Sequence, residues 1–246
     1  MINIHIDDTA GFCSGVIRAI AMAEDVLEQS GKLYCLGNIV HNPFELARLQ
    51  KKGLEIIDYE RYRTLKNTSV LIRAHGEPPH VFNTALENNL ELLNATCPIV
   101  SRLQDKVTEA LSKAAEVDGT IIIFGRKEHP EVVALTGIAG GKVEVIRNIN
   151  ELKDISLDVP VFLFAQTTVN TDEYKQLEEK IRLRILDSGG DPESMLHKHY
   201  TICGEVACRL PDIQHFAQHH DLVLFVSGKE SNNGQMLFKA CKATNP

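Results

Sequence analysis

The sequence predicts an α/β fold with mainly parallel sheets, and three observations support this. Five short apolar runs are continuous rather than alternating, as expected of strands that are covered on both faces. Amphipathic helical patterns lie between these runs, and such alternation is typical of parallel sheets. The 246 residues are 43% apolar and 24% charged, so the chain can bury a core of ordinary size. The five runs are Lys32–Leu36, Ser69–Ile72, Thr120–Phe124, Val159–Phe164 and Asp221–Val226.

The helical patterns come at intervals that fit this alternation. The first covers Val16–Gln29, where apolar residues recur on one face, and it stops near Gly31. Similar patterns cover Ile99–Ala115 and Thr171–Leu186. No long linker is visible, although the Gly- and Ser-containing stretch Ser188–Ser194 suits a boundary between lobes. We therefore expect a single unit that is built from several small lobes.

Charge and hydropathy exclude some classes of function. Lys and Arg number 26 against 33 Asp and Glu, and the formal net charge of −7 makes the chain a poor general ligand for nucleic acid. No apolar run approaches the roughly 18 residues of a membrane span. Asp7 and Asp8 stand where an export signal needs basic residues. We therefore expect a cytoplasmic protein with reduced cysteines and with no nucleic-acid or membrane partner.

Polar side chains follow each predicted strand. In open α/β sheets, ligands bind beyond the carboxyl ends of the strands. Here those ends carry His41, His75, His129, Thr167 and the run Ser231–Asn233. Polar residues are common in any single loop, but five loops of this kind favour a pocket for a polar ligand.

Three of the six cysteines, Cys13, Cys97 and Cys203, fall roughly one in each third of the chain, and each lies where a helix begins. A helix N-terminus lowers the pKa of a thiol and favours the thiolate, which is the form that binds metal. Three thiolates could hold a [4Fe–4S] cluster and leave its fourth iron open to substrate. Spacing alone leaves the alternative that these cysteines are small buried hydrophobic residues. The role of Cys208, on the same predicted helix as Cys203, stays open.

Local motifs are more specific than this spacing. In chain order they are Gly11-Phe12-Cys13-Ser14-Gly15-Val16, Ile39-Val40-His41-Asn42, Arg73-Ala74-His75-Gly76, Ala95-Thr96-Cys97-Pro98, His129-Pro130-Glu131-Val132, Gln166-Thr167-Thr168 and Thr201-Ile202-Cys203. Together they resemble the 4-hydroxy-3-methylbut-2-enyl diphosphate reductase family, also called LytB or IspH, over nearly the whole chain. The form Arg73–Pro79 is similar to the version found in the Bacteroidetes branch.

The resemblance implies a fold and a set of site residues. Three α/β lobes, at about residues 14–96, 97–196 and 197–246, would surround a pseudo-threefold axis with a central [4Fe–4S] cluster. The cluster ligands would be Cys13, Cys97 and Cys203. The proton-delivering glutamate of the family matches Glu131, and the threonine near the substrate hydroxyl matches Thr167. The diphosphate-binding residues match His41, His75, His129, Ser231, Asn232 and Asn233.

The implied reaction is the reductive dehydroxylation of an allylic alcohol diphosphate. Two electrons and two protons enter, water leaves, and the products are isopentenyl and dimethylallyl diphosphate. The family carries out this step at the end of the methylerythritol phosphate route to isoprenoids. A one-electron donor such as ferredoxin or flavodoxin is the implied partner.

The C-terminal region departs from the family pattern. The chain stops at Pro246, where family members continue with a further strand and a diphosphate-binding serine loop. We therefore expect an incomplete third lobe with an exposed sheet edge. Three alternatives stay open: another three-cysteine [4Fe–4S] enzyme resembling quinolinate synthase, a zinc hydrolase, and an inactive truncated fragment.

Overall fold

The computed structural model describes residues 3–229 and 231–246, with every side chain in them except that of Asn232. The described residues form ten α-helices, one 3₁₀ helix and eight β-strands. The strands build two four-stranded sheets in which every neighbouring pair is parallel. The predicted α/β class with mainly parallel sheets is therefore confirmed.

The first sheet is formed by the N-terminal part of the chain. Its elements are α1 (Ser14–Ser30), β1 (Leu33–Leu36), α2 (Pro43–Lys51), β2 (Leu54–Ile57), α3 (Tyr59–Thr64), β3 (Ser69–Ile72), α4 (Pro79–Glu87) and β4 (Glu91–Asn94). The strand order is β2-β1-β3-β4, and all four residues of β1 are buried. The apolar face of α1, which includes Ala19, Ala23 and Leu27, packs in one cluster with Leu33 and Cys35 of β1. Burial on both faces explains why this strand reads as a continuous apolar run.

The second sheet follows the same plan. Its elements are α5 (Pro98–Glu116), β5 (Thr120–Phe124), α6 (Pro130–Ile138), β6 (Glu144–Ile146), a 3₁₀ helix (Ile149–Asp154), β7 (Val161–Ala165), α7 (Thr171–Asp187), α8 (Pro192–Met195) and β8 (Leu196–Lys198). The strand order is β6-β5-β7-β8. Alternate side chains of β5 belong to different apolar clusters on the two faces of the sheet. Ile122 packs with Leu177 of α7, whereas Ile121 and Ile123 pack with Leu103 of α5. Two apolar layers therefore cover the sheet.

Two further helices complete the described chain, α9 (Gly204–Gln218) and α10 (Asn232–Thr244). They pack on each other through a small cluster that contains Ile213, Ala217 and Cys241. Among the described residues, no helix is both long and apolar enough to cross a membrane. The lobe boundaries at 14–96, 97–196 and 197–246, and the pseudo-threefold axis, stay predictions.

The predicted strand Asp221–Val226 is wrong. In the described part of the chain, no ladder of hydrogen bonds joins this segment to a neighbouring strand. Its side chains still alternate, because Val223 and Phe225 pack beside α9 and α10 whereas Leu222 and Leu224 are 86% and 87% exposed. An apolar run indicates the tendency to form a strand, but a paired neighbour is needed to satisfy the backbone.

The remaining predicted elements are confirmed with small shifts. The three helical patterns are α1, α5 and α7, and four of the predicted strands are β1, β3, β5 and β7. The strand predicted from Val159 begins two residues later, at Val161, after Pro160, which has no N–H to contribute to a ladder. Each of these four strands runs into a loop that carries a candidate ligand residue, so the sheets present those residues at their carboxyl ends.

Candidate active site

The three candidate cluster ligands begin three helices, as predicted. Cys13, Cys97 and Cys203 are the N-cap residues of α1, α5 and α9, and each has an extended backbone. None of the three side chains makes a capping hydrogen bond, and all three thiols are free and partly buried. Each thiol thus lies at the positive end of a helix dipole, a position that attracts negatively charged groups. The thiols are therefore accessible to a metal and are in the setting that promotes metal binding.

Close packing brings the first two of these helices together. A Cβ atom on Gly15 would lie 2.9 Å from the Sγ of Cys97, so only glycine allows this approach of α1 to the thiol. One turn further along α1, the Nη1 of Arg18 donates to the carbonyl oxygen of Thr96, at 2.9 Å. The residue before Cys97 is thus held by the helix that begins at Cys13.

The third helix is attached to the same place. Glu205 accepts hydrogen bonds from both the backbone N–H of Ser14, at 3.1 Å, and its hydroxyl group. These bonds lower the pKa of the Glu205 carboxyl. From the next turn of α9, the Nη1 of Arg209 donates to the carbonyl oxygen of Gly11, at 3.0 Å. Two residues of α9 therefore clamp the loop that carries Cys13, while Cys208 on the same helix is exposed.

Glu131 and Thr167 form a buried pair at the carboxyl ends of β5 and β7. Glu131 is in the first turn of α6, and Thr167 lies in the loop after β7. Thr167 donates to both carboxylate oxygens, from its N–H to Oε1 and from its hydroxyl to Oε2, each at 2.7 Å. The Glu131 side chain is almost fully buried, and desolvation raises its pKa to about 7. The N–H of Cys203 donates to the carbonyl oxygen of Thr167, at 2.9 Å. Thr167 therefore contacts both a titrating carboxyl and the backbone of a candidate cluster ligand.

The three predicted histidines lie together. The ring centroids of His41 and His75 are 5.9 Å apart, and those of His75 and His129 are 5.1 Å apart. Desolvation, with a further contribution from the neighbouring cations, lowers the pKa of His75 to about 3 and that of His129 to about 4. His129 is also the N-cap of α6, where its Nδ1 accepts from the N–H of Glu131. The proton of the neutral ring is thus on Nε2, which can donate to a ligand.

Replacing His129 with asparagine should make the protein less sensitive to acid. Because the pKa of His129 is lower in the folded state than in the unfolded state, stability is lost as the pH falls from about 6.5 to about 4. Asparagine keeps the N-cap of α6 but does not titrate. The variant should retain up to about 3 kcal/mol more of its unfolding free energy over this window. Urea unfolding at several pH values measures the difference.

The control for this prediction is His80→Asn, which changes an exposed histidine. It should leave the dependence of unfolding on pH as it is in the unaltered protein. If His129→Asn also left it unchanged, the low pKa of His129 would be contradicted.

Two buried polar atoms at this place are unpaired in the part of the chain that the structure describes. Among the described residues, the buried side-chain N and O atoms without a hydrogen bond are the Nδ1 of His75 and the Oδ1 of Asn233. Burying such atoms unpaired is costly, so both positions fit a polar ligand. Rotating the Asn233 amide by 180° would aim its Nδ2 donors at an anion in this position.

The loop that leads into α10 lies directly against the first histidine. Gly228 approaches the carbonyl oxygen of His41 so closely that no side chain would fit. Ser231 is the N-cap of α10, and its Oγ accepts from the N–H of Gly234, so its O–H can still donate. The predicted contact of Asn232 concerns a side chain outside the described part of the structure.

Sequence reasoning missed several polar residues that hold these loops. Gln166 is buried, and it accepts from the N–H of Arg126 and donates to the Oγ1 of Thr168, joining the loops that follow β5 and β7. Arg73 and Glu77 form a buried ion pair on either side of His75. In the sequence, this pair could have been found from the arginine and the glutamate that lie at equal distances before and after His75.

The zinc hydrolase alternative gains no support from the geometry. In residues 3–229 and 231–246, no group of three or more His, Cys, Asp or Glu side chains is arranged to hold a metal ion. The thiolates around a [4Fe–4S] cluster bind separate iron atoms and need not converge on one point. Three half-buried thiols at helix N-termini, each on a different helix, are a donor set of the kind that such a cluster requires.

Comparison with known proteins gives a consistent result. The profile of the family described as LytB protein matches residues 4–246. The 4-hydroxy-3-methylbut-2-enyl diphosphate reductase of Bacteroides thetaiotaomicron is 43% identical over 245 residues, which cover 100% of this chain and 83% of that protein. The protein of the same name from Porphyromonas gingivalis is 44% identical over 247 residues, covering 100% of this chain and 84% of that protein.

Solved structures show the same likeness. The E-1-hydroxy-2-methyl-but-2-enyl-4-diphosphate reductase of Plasmodium falciparum superposes with a TM-score of 0.83 at 25% identity, covering 97% of this chain and 72% of that chain. A structure of (E)-4-hydroxy-3-methyl-but-2-enyl diphosphate reductase, described as the terminal enzyme of the non-mevalonate pathway, superposes with a TM-score of 0.73 at 30% identity. It is covered to 84%, and this chain to 100%.

Proposed function

The chain belongs to the LytB protein family, and from this we propose that it reduces 4-hydroxy-3-methylbut-2-enyl diphosphate to isopentenyl and dimethylallyl diphosphate. It is an oxidoreductase of the non-mevalonate route to isoprenoids, as its relatives are. The observation that carries the proposal is the line of contacts from the buried carboxyl of Glu131 through Thr167 to Cys203. This line joins a group that titrates near neutral pH to one of the three candidate cluster ligands.

The diphosphate would bind among the histidines and the loop before α10. His41, His75 and His129 supply ring N–H donors, and the Ser231–Asn233 run supplies hydroxyl, amide and backbone donors at a helix N-terminus. The Nδ1 of His75 and the Oδ1 of Asn233, which have no hydrogen-bond partner among the described residues, support this placement. Neutral donors of this kind bind an anion without a basic protein, so the net charge of −7 is no objection.

Cys13, Cys97 and Cys203 would hold a [4Fe–4S] cluster. The helix N-termini, the free thiols and the clamp of α9 on the Cys13 loop all fit that role. When bound, the cluster would supply electrons one at a time and Lewis acidity at the iron that has no protein ligand. A one-electron donor such as ferredoxin or flavodoxin would be its partner.

Glu131 would deliver protons. The reaction breaks the allylic C–O bond, and the hydroxyl leaves as water after taking up a proton, while a second proton ends on carbon. With a pKa of about 7, the Glu131 carboxyl is both protonated and able to release its proton near neutral pH. The Thr167 hydroxyl can accept that proton and pass its own to the substrate, because it already lies 2.7 Å from the carboxyl. Burial keeps water from competing for the proton.

The test is an anaerobic visible and EPR spectrum of the reconstituted protein, recorded before and after addition of the allylic alcohol diphosphate. We expect a [4Fe–4S] signal that shifts when the substrate is added. A cluster spectrum that does not change when the substrate is added would contradict the proposed substrate. It would favour the alternatives of another three-cysteine enzyme or an inactive fragment. Folded protein that acquires no cluster would contradict the reductase proposal altogether.

A further inference from the structure

We infer that Arg73, Glu77 and Tyr59 form a positioning network that sets the His75 ring in the diphosphate pocket, an inference that rests on the proposed function. His75 lies in the loop between β3, which ends at Ile72, and α4, which begins at Pro79. None of the three network residues is a predicted ligand. They would act on the substrate through the loop that they hold.

The network closes the loop across its base. From the residue after β3, the Nε and Nη2 of Arg73 both donate to the Oε1 of Glu77, at 3.2 and 3.0 Å. The hydroxyl of Tyr59, in the first turn of α3, donates to the other carboxylate oxygen. The side chains of Arg73 and Glu77 are only 11% and 1% exposed. The two arms of this six-residue loop, one on each side of His75, are therefore tied to each other and to α3.

The backbone of the loop is held as well. The N–H of Gly76 donates to the carbonyl oxygen of Arg73 at 3.1 Å, which forms a turn around Ala74 and His75. The carbonyl oxygen of Ala74 accepts from the N–H of Cys97 at 2.9 Å. The Nδ1 of His75 is, by contrast, a buried atom with no hydrogen-bond partner in residues 3–229 and 231–246. Bonds within the protein thus hold the backbone and the two charged side chains of this loop, and the Nδ1 of His75 remains for a ligand.

A buried ion pair contributes little net stability to a fold. Removing two charges from water costs about as much as their attraction returns, and apolar replacements are often as stable. A pair that fixes one loop conformation has a different use, because a ligand side chain must be held within a fraction of an ångström to bind well. The guanidinium of Arg73 also lowers the pKa of His75 and of His129, so its charge acts on the pocket.

The decisive variant removes both charges. Arg73→Met/Glu77→Leu leaves no buried charge unpaired, and the protein should therefore fold. Isothermal titration of the reconstituted protein with inorganic diphosphate, under anaerobic conditions, should show binding weakened about tenfold, as is typical when an outer partner of a ligand side chain is removed. The control is Arg182→Met/Glu179→Leu, the same change in an exposed ion pair of α7, which should bind as the unaltered protein does.

Kinetics separate positioning from general damage. The double variant should show a raised KM for the allylic diphosphate with kcat little changed, because the diphosphate contact is made equally in ground and transition states. Tyr59→Phe keeps the ion pair and should give a smaller rise in KM in the same direction. If the double variant folded and bound inorganic diphosphate normally, the positioning role would be wrong and the proposed function would stand. If the double variant failed to fold, normal binding of inorganic diphosphate by Tyr59→Phe would lead to the same conclusion. If the unaltered protein bound neither inorganic diphosphate nor the substrate, both the positioning role and the proposed function would be wrong.

Discussion

Replacing Glu131 with glutamine is expected to abolish turnover and leave the fold and diphosphate binding intact. Loss of a positioned general acid typically lowers kcat by about 10²–10⁴-fold. Glutamine fills the same space, and its Oε1 can accept from the N–H of Thr167 while its amide donates to the Thr167 hydroxyl. The proton relay is removed, but the packing around it is kept. Single-turnover assays and titration with inorganic diphosphate measure the two properties separately.

The same variant should be more stable than the unaltered protein at neutral and alkaline pH. The pKa of Glu131 is about 7 in the folded state and about 4.5 in the unfolded state, so the folded protein binds more protons between these values. Its stability therefore falls as the pH rises from 4.5 to 7, and the ionised carboxylate costs about 3 kcal/mol above that range. Glutamine removes this cost. The gain in stability should thus grow with pH and then level off.

The matched control is Glu128→Gln, which changes an exposed glutamate in the loop just before α6. It should keep full turnover and show no gain in unfolding free energy. Retained activity in Glu131→Gln would remove Glu131 as the proton donor. Equal stability of that variant and the unaltered protein at pH 8 would contradict the raised pKa.

Replacing Cys97 with serine should remove the visible absorption of the reconstituted cluster, and with it all activity. A serine hydroxyl does not supply a thiolate at neutral pH, and two remaining cysteines are too few to hold a [4Fe–4S] cluster stably. The change is small, and Cys97 is partly buried with no capping bond to lose, so the protein should stay folded. Visible absorption and iron analysis measure the loss of the cluster, an activity assay measures turnover, and far-ultraviolet circular dichroism checks the fold.

The control for this change is Cys208→Ser, which replaces an exposed cysteine on the helix that begins at Cys203. It should keep the cluster absorption and the response to substrate. A loss of absorption in this variant would make Cys208 a ligand. Unchanged absorption and iron content in Cys97→Ser would remove Cys97 from the ligand set.

Much of the fold could be predicted because burial leaves a local pattern. β1, β3, β5 and β7 are covered on both faces, so they read as apolar runs, and α1, α5 and α7 show a helical repeat. The short outer strands were missed for the same reason. The central residues of β2 and all four residues of β4 are at least partly exposed, and their sequences are mixed.

The residues of the candidate site were predictable by type and motif, and three cysteines were expected to begin helices. That expectation is local, since Pro98 and the glycines around Cys13 and Cys203 mark helix starts. The clamp of Glu205 on Ser14 joins residues that are 191 positions apart, and no local pattern predicts such a bond. The same holds for Gln166, which links two loops.

Periodicity and short motifs were enough to predict the fold class, the family and the chemical types of the candidate site residues. The remaining properties depend on how distant segments pack together. The tertiary structure buries Glu131 beside Thr167, which raises the carboxyl pKa. Among the described residues, it leaves the Nδ1 of His75 without a hydrogen-bond partner and Asp221–Val226 without a neighbouring strand. Desolvation, close approach and strand pairing arise only when distant segments meet, so they cannot be inferred from neighbouring residues.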